Sequence, residues 1–222
     1  MRITLPSGTP AELARPGGTA TGQETGPGLV LLPDIAGLRP LFDDHCARMA
    51  AEQGLTVCAV EPWPGREELT RDERLVSVDQ LSDERLMADA LAAADATGAE
   101  RVGVLGFCMG GMVTFKASAT GRFDRAAAFY GMVRLPDAWR SPTMADPTGA
   151  LAAPGRCPVL EIVGTDDEFV PAADIDEAER LGVEVVRYEG AEHGFVHDPA
   201  RPIHRPDDAA DAWSRVLAFL AG

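Results

Sequence analysis

The chain predicts an α/β fold, a mostly parallel central sheet with helices on both faces, and three observations carry that reading. From residue 28 onward, short apolar runs alternate with amphipathic helical patterns, the rhythm of successive βαβ units. The apolar runs are continuous rather than alternating, as strands covered on both faces are. With 222 residues, 45% of them hydrophobic, the chain is sized for one domain spanning 1–222.

Taken in order, the Gly- and Thr-rich first 27 residues predict one short antiparallel pair, 2–5 with 11–15. A strand over 28–33 leads to a helix over 41–53, where Phe42, Cys46, Met49 and Ala50 make one buried stripe. His45 falls on the polar flank of that helix and is expected to face solvent. The next strand is 55–60. Ser82 caps a helix over 82–97 with Asp83 and Glu84 in its positive first turn, and Gly98 stops it after Leu86, Ala90, Leu91 and Ala94 have formed an apolar stripe. A strand over 101–107 runs into a helix over 109–120. Then come strands over 126–130, 159–163 and 183–188, the last two separated by a short helix opened by Pro171. The final helix turns Trp213, Val216, Leu217 and Leu220 to the core, with Pro206 in its first turn. Two long stretches, 61–81 and 134–150, read as irregular. Both follow strands and so emerge at the carboxyl edge of the sheet, where ligands bind in open α/β folds.

Composition narrows the function. A formal charge of −15 with Lys116 as the single lysine would repel a phosphate backbone, so no nucleic-acid partner is expected. No apolar run reaches the length of a membrane span, and Pro6 breaks the N-terminal run too early for a signal-peptide core; no membrane partner and a cytoplasmic location follow as expectations. The expected assembly is a monomer or homodimer. The four cysteines form no C-x-x-C pair and lie far apart in sequence, so neither a metal nor another cofactor is implied. Cys46 belongs to a helix face, Cys58 to a strand, and Cys157 to the residue before a strand; packing accounts for all three.

Cys108 is different. In Gly106-Phe-Cys-Met-Gly-Gly111 it sits where a strand must reverse into a helix within about two residues, and the flanking glycines remove the β-carbons that would collide. This is the nucleophile-elbow pattern with cysteine at the exposed point, at a helix N-terminus that favours thiolate and oxyanion alike. A packing cysteine in a glycine-rich turn is the bland alternative. A thiol nucleophile gains from a base, and the base from an orienting carboxylate. After the strand ending at Val163 comes Gly164-Thr-Asp-Asp-Glu-Phe-Val-Pro171, and after the strand ending at Tyr188 comes Glu189-Gly-Ala-Glu-His-Gly-Phe195. Cys108, an aspartate near 167 and His193 thus occur as nucleophile, acid and histidine, in the order and on the loops such sheets use.

The three motifs GFCMGG, GTDDEFVP and GAEHGF resemble the dienelactone hydrolase family of α/β hydrolases across nearly the whole chain. The resemblance implies an α/β-hydrolase fold and cysteine-dependent hydrolysis of a lactone or small activated ester. It selects Asp167 over Asp166, and His193 over His45, His197 and His204. It also implies an acid after the early central strand, usually a glutamate hydrogen-bonded near the resting thiol; Asp34 stands here, one methylene shorter. The backbone N–H groups of Ile35 and Met109 are the expected oxyanion hole. Family members that act on dienelactone hold its carboxylate with arginines, one shortly after the catalytic histidine. His197 occupies that place here, with Arg201 four residues on, and Arg66, Arg71 and Arg74 lie in the 61–81 stretch. His197, Arg74 and Trp63 are the expected substrate contacts. Two other classes fit parts of the pattern: an amidotransferase-like cysteine enzyme, which places histidine close after the cysteine, and a non-hydrolytic acyltransferase, cyclase or ligand-binding protein on the same fold.

Overall fold

The computed structural model describes residues 1–18 and 26–222. Its centre is an eight-stranded mixed sheet in the order β1-β2-β4-β3-β5-β6-β7-β8. The strands are β1 Arg2–Thr4, β2 Pro10–Ala14, β3 Gly28–Leu32, β4 Thr56–Val60, β5 Val102–Phe107, β6 Arg125–Phe129, β7 Val159–Gly164 and β8 Glu184–Tyr188. Strands β3 to β8 are parallel neighbours, joined through helical crossovers. The N-terminal hairpin forms as expected, and β2 also pairs antiparallel with β4, extending the main sheet. That second pairing uses the β4 edge, which would otherwise present unpaired backbone groups.

The helices are α1 Pro40–Gln53, α2 Arg71–Leu75, α3 Asp83–Thr97, α4 Met109–Ala117, α5 Thr148–Leu151, α6 Ala172–Arg180 and α7 Pro206–Ala221. Alternation along β5 sorts them onto two faces. A β-carbon on Gly103 would meet Leu220 of α7, whereas one on Gly106 would meet Thr114 of α4. Helices α1 and α7 share the first face, where the His45 and Trp213 rings lie 5.4 Å apart, and α3 packs beside α4 on the other. Strands β3 and β4 are buried at every residue, as the continuous apolar runs required.

Several elements differ from the sequence reading for local reasons. The 61–81 stretch contains α2, closed by a capping box in which Thr70 and Glu73 satisfy each other's amides. The 134–150 stretch contains α5. Helix α4 ends at Ala117, short of residue 120, because the hydroxyls of Ser118 and Thr120 bond back to the carbonyls of Phe115 and Ala117. The expectation for His45 is corrected: it is 6% exposed, its ring is stacked 6.0 Å from that of Phe107, and its Nε2 donates to the carbonyl of His197 at 3.0 Å. The flank that looks polar in one helix is covered by α7 and the loop before it.

Two outcomes test this packing. Gly110 starts α4 so near β3 that a β-carbon would stand 2.0 Å from the Leu32 carbonyl oxygen, a rigid backbone atom. Gly110→Ala should therefore lower the unfolding free energy by about 1–3 kcal/mol or more, read from urea midpoints. Burial pulls the His45 pKa down to about 4. As pH falls below about 6.5, the unfolded chain takes up a proton at this imidazole that the folded chain refuses until about pH 4, so stability falls across that window. Between pH 7 and 4 the parent should lose up to roughly 3 kcal/mol more than His45→Gln, which keeps a donor toward His197.

Candidate active site

Four loops at the carboxyl edge of the sheet converge, one each after β3, β5, β7 and β8. The loop after β5 is the cysteine turn. Cys108 has φ 55° and ψ −116°, a conformation that non-glycine residues rarely adopt and that persists only where the surroundings impose it. Here the constraint is close backbone approach: β-carbons on Gly106 and Gly111 would lie 2.1 Å from the Gly110 carbonyl oxygen and 2.8 Å from the Cα of Gly131. The Cys108 amide is anchored on the Phe129 carbonyl at 3.0 Å, and its side chain is partly accessible.

The loops after β7 and β8 supply the acid and the histidine. Asp167 is buried, and its Oδ1 accepts from the amides of Phe169 and Val170 at 2.8 and 3.1 Å, which aims the carboxylate. His193 Nδ1 lies 3.0 and 2.8 Å from the two carboxylate oxygens of Asp167. A carboxylate only accepts, so Nδ1 carries the proton in that bond. Nε2 is buried and, among the described residues, makes no hydrogen bond of good geometry, with Cys108 as the polar group close enough to act on it. Burial alone would lower the pKa of this imidazole, but the charges of Cys108 and Asp167 overcome it and hold it well above the usual histidine range. Two rings clasp His193, Tyr130 at 4.9 Å and the half-exposed Phe169 at 4.8 Å between centroids. Asp166 is exposed: its carboxylate accepts from the Thr165 hydroxyl and its amide donates to the Ala191 carbonyl at 3.0 Å, so its carboxylate does not orient His193.

The loop after β3 carries Asp34 and Ile35. The Ile35–Ala36 peptide is held at both ends: Trp63 Nε1 donates to the Ile35 carbonyl at 2.9 Å, and the Ala36 amide donates to Asp34 Oδ1 at 2.9 Å. Glu61 braces the same turn by accepting from the amides of Trp63 and Leu38, both at 2.8 Å. The amides of Ile35 and Met109 themselves have no acceptor among the described residues. A small apolar pocket lined by Leu32, Pro33, Met109 and Gly110 lies at the start of α4. A larger pocket lies at the amino ends of β3 and β5, lined by Gly28, Leu55 and Val102, at the opposite edge of the sheet from these groups.

Asp34 does not bond the thiol. Its Oδ1 accepts from Ala36 N and Arg39 Nη1, and its Oδ2 from Arg39 Nη2 and His197 Nε2, at 2.7–2.9 Å. Four bonds fill the lone pairs of a carboxylate. Although burial opposes ionisation, His197 and Arg39 hold the Asp34 carboxyl well below the usual carboxylate range. The three expected substrate contacts are likewise turned inward. His197 has both ring nitrogens engaged, by Asp34 and by the Tyr130 hydroxyl. Arg74 donates to the carbonyls of Leu69 and Glu67, and Trp63 spends its indole N–H on Ile35. All three are buried. Their chemistry suits support of the turn rather than contact with a ligand.

Sequence reasoning missed Tyr130, Arg39 and Glu161. Tyr130 follows β6 directly, with φ 45°, and is wholly buried. Arg39 stands five residues after Asp34, a spacing with no signal of its own. Glu161 lies within β7, buried, with neither carboxyl oxygen in a well-formed hydrogen bond. Burial and the nearby Asp167 charge push it well above the usual carboxylate range. Among the described residues, no group of His, Cys, Asp and Glu is arranged to hold a metal ion, and no helix is long and apolar enough to cross a membrane.

Known proteins resemble this chain in sequence and in fold. The model of the dienelactone hydrolase family matches residues 14–222. A carboxymethylenebutenolidase from Rhodococcus opacus is 30% identical over 211 residues, covering 89% of this chain and 82% of that protein. A protein provisionally named carboxymethylenebutenolidase, from Methylorubrum extorquens, is 32% identical over 208 residues, covering 86% of this chain and 70% of its own length. A solved structure from Klebsiella pneumoniae, provisionally named a dienelactone hydrolase, superposes over 100% of this chain and 97% of its own, with a TM-score of 0.87 at 24% identity.

The environments of the four thiols differ enough to be read by alkylation. Burial pushes Cys46 and Cys58 far above the usual thiol range and Cys157 up to about 11. Iodoacetamide at neutral pH, below denaturing conditions, should label Cys108 first by peptide mapping. Label arriving first at any of the other three would remove Cys108 from consideration as a reactive thiol.

Proposed function

The chain belongs to the dienelactone hydrolase family, and on that basis we propose that it hydrolyses a lactone or small activated ester through a thioester on Cys108. The observation that carries the reading is the state of His193. Asp167 holds Nδ1, and the buried Nε2 stands next to Cys108 on its strained turn. An imidazole whose basicity is raised by Asp167 and by the sulfur beside it is suited to take the thiol proton and leave a thiolate.

In the proposed sequence, His193 Nε2 accepts the Cys108 proton and Sγ attacks the carbonyl carbon. The oxygen that becomes negative rests on the amides of Ile35 and Met109, each such donor being worth about 2.7–4 kcal/mol in a transition state. Collapse breaks the carbon–oxygen ester bond, and imidazolium returns its proton to the departing alkoxide. For a lactone, that alcohol stays attached to the acyl group. Water then enters, His193 takes its proton, and hydroxide attacks the thioester. The thiolate leaves, recovers the proton from His193, and the carboxylic acid departs. Asp167 stabilises the imidazolium in both halves.

Support for Ile35 as a donor comes from the bracing of its turn: the Gly37 amide donates to the Asp34 carbonyl at 2.9 Å, which holds the peptide that bears the Ile35 N–H, and the following peptide is fixed at both its carbonyl and its amide. The experiment is a mutant cycle. With p-nitrophenyl acetate and a panel of lactones, Cys108→Ala, His193→Ala and the double mutant should each lose about 10³-fold or more in kcat, the double no worse than the worse single. Losses that multiply would mean that the two residues do not act as one unit. Mass spectrometry of the parent during turnover should show the acyl adduct on Cys108.

A further inference from the structure

We propose that His197 is a positioning residue that locks the oxyanion turn to the catalytic imidazole. The inference rests on the reading of Cys108 and His193 given above. A continuous chain of contacts runs across the carboxyl edge. Arg39 donates twice to Asp34, at 2.7 and 2.8 Å, and Asp34 Oδ2 accepts from His197 Nε2 at 2.9 Å. His197 Nδ1 is hydrogen-bonded to the Tyr130 hydroxyl, and the Tyr130 ring packs 4.9 Å from that of His193 at 59°. The two ends of this chain are the turn that bears Ile35 and the base that acts on Cys108.

Proton positions along the chain follow from donor and acceptor chemistry. Asp34, ionised and acceptor-only, requires the proton of His197 to be on Nε2. His197 is buried, and burial holds it in the neutral form despite Asp34. Nδ1 is then a bare acceptor, and the Tyr130 O–H donates to it. Burial keeps that hydroxyl protonated. The carbonyl of His197 is itself held by His45 Nε2 at 3.0 Å, so helix α1 fixes the residue from behind. Tyr130, at φ 45°, is held at its amide by the Ile162 carbonyl at 2.7 Å and at its hydroxyl by His197, with its ring packed against Phe129 and Phe195. A carboxylate that orients one nitrogen of a buried histidine while the other orients a neighbour is a recurrent way of fixing both tautomer and ring angle.

This arrangement assigns His197 no proton transfer with substrate. Its effect is geometric: the distance between the Ile35 amide and His193 is set by one rigid relay, and a displacement near 1 Å in such a pair costs about 100-fold in rate. His197→Ala should therefore lower kcat about 10- to 100-fold with KM within about 3-fold of the parent. His197→Gln, whose amide nitrogen reaches where Nε2 stands, should recover part of that loss. Tyr130→Phe, which removes only the hydroxyl, should lower kcat as well, and His197→Ala/Tyr130→Phe should be no worse than His197→Ala because both cut the same chain. In the parent, nitrogen-15 spectra should show His197 as the neutral Nε2–H tautomer at working pH, a readout that needs no variant to fold.

Parental kcat in folded His197→Ala, a loss confined to KM, multiplying losses in the double variant, or an Nδ1–H or doubly protonated His197 would each overturn the assignment. Cys108→Ala separates this from failure of the broader reading. If Cys108→Ala is active, the thioester mechanism falls; if it is inactive while the His197 and Tyr130 variants turn over like the parent, only the positioning role falls.

Discussion

At the turn from β5 into α4 the backbone of the helix lies against the carbonyl of Leu32, with room for no side chain at Gly110 and none at Gly106. That steric contact organises the whole carboxyl edge. It forces Cys108 into a positive φ and lifts its side chain out of the sheet. It also brings the start of α4 against the Leu32 and Pro33 carbonyls, next to the turn after β3 that carries Ile35. A helix N-terminus carries amides without intrahelical partners, and the Met109 and Ile35 amides proposed as the oxyanion hole have no acceptor among the described residues. The chemistry proposed for Cys108 is a consequence of how tightly one helix packs on one strand.

Around that contact, buried charge is distributed with little left uncompensated. Asp167 is answered by His193 and two amides, and Asp34 by Arg39, His197 and an amide. Glu161, buried with Asp167 nearby, is pushed toward its neutral form, and Arg187 offsets only part of that. A buried carboxylate persists as an anion only where hydrogen bonds or cations replace its lost hydration. The pattern explains why Asp34 is unsuited to holding the thiol directly: every lone pair is already spent, on Ala36 and Arg39 of its own turn and on His197 of the histidine loop.

The histidine loop adds a second layer of constraint. Residues 193 to 197 pass from the proposed base to the buried ring of His197, which reaches the turns after β3 and β6. One short segment therefore touches the acid, the oxyanion turn and the strand end beside the elbow. A site assembled from loops after separate strands has many independent degrees of freedom, and shared hydrogen bonds among those loops are what remove them.

Much of this was legible in one dimension. Continuous apolar runs separated by capped helices determine a parallel sheet because burial on both faces and a helical crossover are local demands, written in period and punctuation. The glycines around Cys108, and the order Cys108, Asp167, His193, were legible for the same reason, since each element is positioned by the strand directly before it. What the sequence could not decide is which polar groups meet across loops. His45 looked solvent-facing because a single helix cannot reveal that α7 covers its flank, and α2 and α5 were missed because a one-turn helix carries too little periodicity to read. His197, Arg74 and Trp63 looked like ligand contacts, and Tyr130 and Arg39 like nothing in particular. Their roles depend on hydrogen bonds spanning as many as 163 residues, as between Asp34 and His197, and no sequence period encodes a pairing at that distance. Tertiary packing alone brings those atoms within reach, and their mutual saturation then decides what each is free to do.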